Sequence, residues 1–77
     1  MHEWIEREQH IEKEFHFANF TEALAFVNRV GVLAEEMNHH PDIFLHGYKH
    51  VRLLLTTHSA GKVTDKDHQL ANSIDAI

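Results

Sequence analysis

The apolar residues of this 77-residue chain change their spacing from period two to a helical period and back, and that alternation limits the fold more than any other feature. In "WIEREQHIEKEFHF", Ile11, Phe15 and Phe17 share one parity while Glu12, Glu14 and His16 share the other, the pattern of a half-buried strand. Lys13 interrupts the apolar face. Trp4 to Arg7 reads as a preceding strand that pairs back across a turn near Glu8 to His10. "NFTEALAFVNRVGVLAEEMN" then moves to steps of three and four, placing Ala23, Phe26, Val27, Val30, Ala34 and Met37 on one helical stripe. Period two returns in "DIFLHGYKHVRLLLTT", where Val51, Leu53 and Leu55 oppose Arg52, Leu54 and Thr56 after a turn around His46 to Lys49 pivoting on Gly47. "TDKDHQLANSIDAI" restores the helical period through Leu70, Ala71, Ile74 and Ile77. The order β-β-α-β-β-α predicts an α+β fold: a four-stranded antiparallel sheet with helices packed on one face.

The element ends carry their own signals. Asn19 is suited to cap the first helix, with Glu22 three residues on able to reach back, and Thr21 is a competing cap. Gly31 costs helix stability and would permit a strand to approach closely. The helix should stop near Asn38, because Pro41 pushes His40 towards extended geometry. "SAGK" reads as a turn, and Thr64 as the cap of the last helix, with Asp65 and Asp67 beside its positive end.

Size allows a single domain spanning residues 1–77, with no internal repeat or linker. A chain this short buries only roughly 60–65% of its unfolded surface, and the absence of cysteine removes both disulfides and thiolate chemistry. Self-association is the expected supplement. Net charge is -5 with histidine neutral, and the seven Lys and Arg residues are dispersed among twelve acids, which argues against nucleic acid as a partner. No apolar run approaches a membrane span and no leader pattern opens the chain, so a soluble, cytoplasmic protein acting on a small molecule or another protein is expected.

Chemistry concentrates in "NHHPD". His39 and His40 fall at a helix exit, where free carbonyls favour an imidazolium, and the His40–Pro41 junction fixes how the two rings diverge. Glu35, one helical turn before His39, is placed to hydrogen-bond that ring and hold its tautomer. His58, in "TTHSAGKVTDKD", stands between a strand and a turn. Histidines in such places are commonly solvated or capping groups, and His2, His10, His16, His46, His50 and His68 read as surface polar residues.

Taken in order, "EEMNHHPD" and "TTHSAGKVTDKDHQLA" resemble the pterin-4a-carbinolamine dehydratase family: an acidic residue four before a His-His-Pro, then a strand ending in Thr-His and an Ala-Gly turn into the last helix. "EFHFANFTEALAFVNRVGVLAEE" is similar to the family's second strand and long helix. The resemblance covers nearly the whole chain and implies the same α+β fold, assembly into dimers or tetramers, and loss of water from a 4a-hydroxytetrahydropterin to give the quinonoid dihydropterin. It implies His39, His40 and His58 as the catalytic histidines, and Glu35, Pro41, Thr57, Ser59 and Ala60 as substrate-binding positions. Asp67 matches the aspartate after the turn and reads mainly as stabilisation of the helix start. That reaction needs one acid and one base flanking the ring, roles histidine fills near neutral pH without cofactor or metal.

Three departures from the family pattern are visible. The stretch from Pro41 to His58 is one residue longer, to be absorbed around His46 to Tyr48. Ile43 stands where an aromatic is frequent, and an N-terminal helix common in the family is absent or shortened. Two other classes compete. A metal module built on these imidazoles and Glu35 has poor ligand spacing, with no HExxH pattern. A non-catalytic interaction module is the other, since some animal family members act as dimerisation cofactors for a homeodomain transcription factor.

Overall fold

The computed structural model describes residues 3–77, so His2 lies outside the described residues. The elements are β1 (Ile5–Glu6), β2 (Ile11–His16), α1 (Phe20–Met37), β3 (Asp42–His46), β4 (His50–Leu55) and α2 (Asp65–Asp75). All strand pairs are antiparallel, in the order β1-β2-β4-β3. The expected α+β architecture is what the chain adopts.

Strand parity decides what each face meets. Ile11 pairs with Leu55, Lys13 with Leu53 and Phe15 with Val51, so these six share the face that the helices cover. Ile11, Val51, Leu53 and Leu55 join Ala23, Phe26 and Val30 of α1 and Leu70, Ala71 and Ile74 of α2 in one buried cluster. Each fully buried aliphatic side chain contributes about 1.5–3 kcal/mol over its exposed state. Phe15 and Phe17 close the cluster against Phe26, with ring centroids 4.7 and 5.0 Å away. Lys13, the interruption in the apolar face, lies between Trp4 and Phe15 and reaches Asp75 at the end of α2 at 2.8 Å. Trp4 Nε1 donates to the other oxygen of the same carboxylate at 3.0 Å. The opposite face, carrying Glu12, Glu14, His16, Phe44, His46, His50, Arg52 and Leu54, is left open to solvent or partners.

Cap chemistry sets the helix limits. Asn19 Oδ1 accepts from the Glu22 amide at 2.9 Å, while Glu22 Oε1 accepts from Ala18 N at 3.3 Å, one residue further back than a capping box requires. Thr21 lies inside the helix. At the other end Asn38 adopts a left-handed conformation (φ 50°), and the His39 amide reaches back to the Ala34 carbonyl at 3.0 Å while Asn38 N reaches Glu35 O at 3.2 Å. These two bonds form a Schellman termination, so Asn38 ends the helix before Pro41 takes effect. The expectation for Gly31 fails: a Cβ there would meet nothing within 4 Å, so no strand exploits the missing side chain.

The β3–β4 hairpin runs without a bulge from Asp42 opposite Leu54 to His46 opposite His50. Gly47, Tyr48 and Lys49 form its loop. Gly47 and Tyr48 both have φ of 54°. Gly47 is doubly constrained, because an added Cβ would lie 2.9 Å from His50 Cδ2.

Candidate active site

Three chain segments meet at Asp67, in the first turn of α2 and fully buried. One oxygen, Oδ1, is 2.5 Å from His39 Nε2. The other, Oδ2, accepts from the Thr57 hydroxyl at 2.8 Å and from the Thr64 amide at 2.9 Å. Thr57 Oγ1 is also 2.7 Å from Thr64 Oγ1. The carboxylate thereby ties the exit of α1, the exit of β4 and the entry of α2 together. Burial pushes its pKa up, but the bonds from His39, the Thr64 N–H and the Thr57 hydroxyl outweigh that and hold Asp67 below the ordinary aspartate range. An ionised Asp67 places the His39 proton on Nε2 and leaves Nδ1 as the ring atom for proton exchange.

The sequence reading paired Glu35 with His39, and the structure corrects it. His39 turns inward to Asp67, with its side chain 11% exposed, whereas Glu35 Oε2 lies 2.5 Å from His40 Nε2 on the surface. The reason is the left-handed Asn38: once the helix ends, the i, i+4 relation between residues 35 and 39 no longer brings their side chains together. Reading Asp67 mainly as a helix-start residue was likewise incomplete. Its cap bond to Thr64 N uses one oxygen, and the other is spent on the histidine.

His58 stands on the turn after β4. Thr57 N donates to Lys62 O at 3.1 Å, Ala60 N and Gly61 N reach the Thr57 carbonyl at 3.0 and 2.9 Å, and Gly61 takes φ 67°. Thr57 is buried by its bonds to Asp67 and Thr64, while His58, Ser59 and Ala60 are exposed at the tip. Beside them a cleft of about 220 Å³ is lined by His58, Gly61, Thr56, Leu54, His10 and Gln9, with Asp42 from the other wall. Asp42, the residue after Pro41 and the strand partner of Leu54, is the part of the His39–Asp42 stretch that lines the cleft. The rings of His39 and His40 are not among its lining groups.

His10, Gln9 and Asp42 were not singled out from the sequence as neighbours of His58. They reach it from the β1–β2 turn and the start of β3, through pairings between strands distant in sequence. The signal for the Asp67–His39 couple was present only as an aspartate three residues after a capping threonine.

A family model described as "Pterin 4 alpha carbinolamine dehydratase" matches residues 1–77. A "Putative pterin-4-alpha-carbinolamine dehydratase" of Chloroflexus aurantiacus is 49% identical over 75 residues, which make up 97% of this chain and 80% of the relative. A "Putative pterin-4-alpha-carbinolamine dehydratase 2" of Gloeobacter violaceus is 52% identical over 64 residues, 83% of this chain and 68% of that one. The crystal structure of a transcriptional coactivator/pterin dehydratase from Brucella melitensis matches with a TM-score of 0.85 at 31% identity, over 97% of this chain and 79% of the other. A pterin dehydratase-like RuBisCO assembly factor of the alpha-carboxysome matches with a TM-score of 0.76 at 22% identity, over 97% and 86%, and so shares the fold. On its matched length, its identity to these relatives and its strand order, the chain belongs to the pterin-4-alpha-carbinolamine dehydratase family.

Proposed function

We propose that the chain is a cytoplasmic 4a-hydroxytetrahydropterin dehydratase, a hydro-lyase of tetrahydropterin recycling that works by histidine general acid–base catalysis without cofactor or metal. The observation that carries this reading is the buried Asp67 carboxylate bonded to His39 and, through Thr57, to the turn that bears His58. In the reaction the C4a–O bond breaks, the hydroxyl leaves with an added proton as water, and N5–H gives up its proton as the quinonoid ring forms. His39 takes the N5 proton on Nδ1, because the Asp67 carboxylate bonded to Nε2 stabilises the imidazolium that results. His58, on the turn that Thr57 ties to Asp67, donates to the departing hydroxyl. His40 supplies a further polar contact, while Glu35, Pro41, Ser59 and Ala60 border the substrate and Thr57 acts through Asp67. Each acid or base contributes about 10²- to 10⁴-fold.

A homodimer or homotetramer is part of the proposal, supported by the limited core of so short a chain and by the outward-facing Phe20, Leu24 and Val32 of α1. A non-catalytic interaction role is the second reading, favoured by the description of the Brucella protein as a transcriptional coactivator as well as a dehydratase. A dehydratase assay on His39→Ala, His40→Ala and His58→Ala, each verified as folded by circular dichroism, separates the two. The proposal expects falls of about 10²-fold or more at His39 and His58. Wild-type rates in all three variants would leave only the interaction role.

A further inference from the structure

The open face of the sheet holds a second group of histidines that the proposed dehydration does not use. His16 stands opposite His50, and His50 opposite His46, so three imidazoles form one transverse row across β2, β4 and β3. Adjacent strands lie about 4.8 Å apart, which brings such rings into contact. The His16 and His50 centroids are 4.9 Å apart, and those of His46 and His50 are 5.4 Å apart. The Nδ1 atoms of His16 and His50 are separated by 2.7 Å. Two imidazole nitrogens this close need something between them, either one shared proton or a cation that accepts both lone pairs.

Glu14 supplies a carboxylate on the same face, and one of its oxygens, one ring nitrogen of His16 and one of His50 all lie within 4.8 Å of one another. Its own orientation is fixed from outside: Arg52 Nε donates to Oε1 at 2.9 Å, and His46 Nε2 is 2.6 Å from Oε2. Gly47 preserves room for the His50 ring, since a Cβ there would meet that ring at 2.9 Å.

We propose that His16 Nδ1, His50 Nδ1 and a Glu14 oxygen bind a divalent transition ion of the zinc type, with solvent in the fourth position. Two imidazoles and one carboxylate are a borderline donor set that suits zinc, whereas magnesium and calcium take all-oxygen shells. Tetrahedral zinc with nitrogens at about 2.0–2.1 Å needs them roughly 3.3 Å apart, so the rings must open by about half an ångström. Arg52 and His46 then orient the ligating carboxylate from behind. This centre lies at the hairpin end of β4. About 17 Å of strand separates it from the Thr57–His58 end, so the two sites can be told apart.

The test is calorimetric titration of zinc chloride into untagged protein, repeated on His16→Gln, His50→Gln and Glu14→Gln, with His68→Gln on the exposed side of α2 as control. One equivalent should bind, at least tenfold more weakly in the first three variants and unchanged in the control. Histidine ring NMR of the wild-type protein gives a readout that does not depend on any variant folding: the His16 and His50 ring nitrogens should shift at one equivalent of zinc. Unmoved signals from both rings, or wild-type titration by both His16→Gln and His50→Gln, would overturn the assignment.

Discussion

Asp67→Asn tests the physical centre of the proposed site, because it changes charge at nearly constant volume. The wild-type carboxylate accepts three bonds, from His39 Nε2, the Thr57 hydroxyl and the Thr64 amide. An asparagine that keeps its oxygen towards Thr57 and Thr64 presents NH₂ to His39. The ring must then accept at Nε2, and its proton moves to Nδ1, the wrong tautomer for taking a proton from N5. A charge-assisted bond worth about 1.5–3 kcal/mol is replaced by a neutral one worth about 0.5–1.5 kcal/mol, so the variant should lose about 1–2 kcal/mol. For a chain of this length that corresponds to a fall in Tm of roughly 6–12 °C. Urea unfolding at constant m measures the loss directly, and the dehydratase rate should fall by about 10²- to 10⁴-fold.

The pH dependence gives the sharper test. The folded-state pKa of Asp67 is depressed, so its stabilisation is present above the unfolded value, about 3.9, and disappears as pH falls through the folded value. The stability gap between wild type and Asp67→Asn should therefore be full at pH 7 and shrink below about pH 4. Glu12 and Glu14, also depressed, titrate in both proteins and cancel in the difference. An equal gap at pH 7 and pH 3, or no gap at either, would refute the account of Asp67 as an ionised anchor.

Further outcomes follow from register and caps. Leu53→Ala empties a fully buried position and should cost about 2–5 kcal/mol, whereas Leu54→Ala on the open face should cost less than about 1 kcal/mol; comparable losses in urea unfolding would mean that the strand register is wrong. Asn38→Gly should hold or raise Tm, and Asn38→Ala should lose about 1 kcal/mol, because position 38 sits at φ 50°. Glu35→Gln removes only a surface partner of His40 and should change stability by less than about 0.5 kcal/mol. A larger effect in thermal melts would give that exposed pair a structural role.

Features governed by local periodicity were legible from the residues. The α1 stripe through Ala23, Phe26, Val30 and Ala34, the parity of Val51, Leu53 and Leu55, and the Asn19 cap depend on neighbours a few positions away, and the folded chain has all of them. Pairings across the sheet and between elements were not. His39 finds its carboxylate twenty-eight positions away, and the local rule that linked it to Glu35 failed once Asn38 turned the backbone. The row of His16, His50 and His46 depends on the alignment of three strands, of which only the hairpin pair is close in sequence. Read singly, each was an ordinary surface histidine. Gly31 shows the reverse error, since the glycine suggested a close contact that no neighbour makes.

Because the carboxylate that aims His39 belongs to the first turn of α2, orienting that ring and docking the C-terminal helix are a single equilibrium. A chain that has already built its sheet and packed α1 still lacks an aligned imidazole until the last helix settles. Hydrogen exchange at the first-turn amides of α2 therefore reports how often the His39 ring loses its anchor.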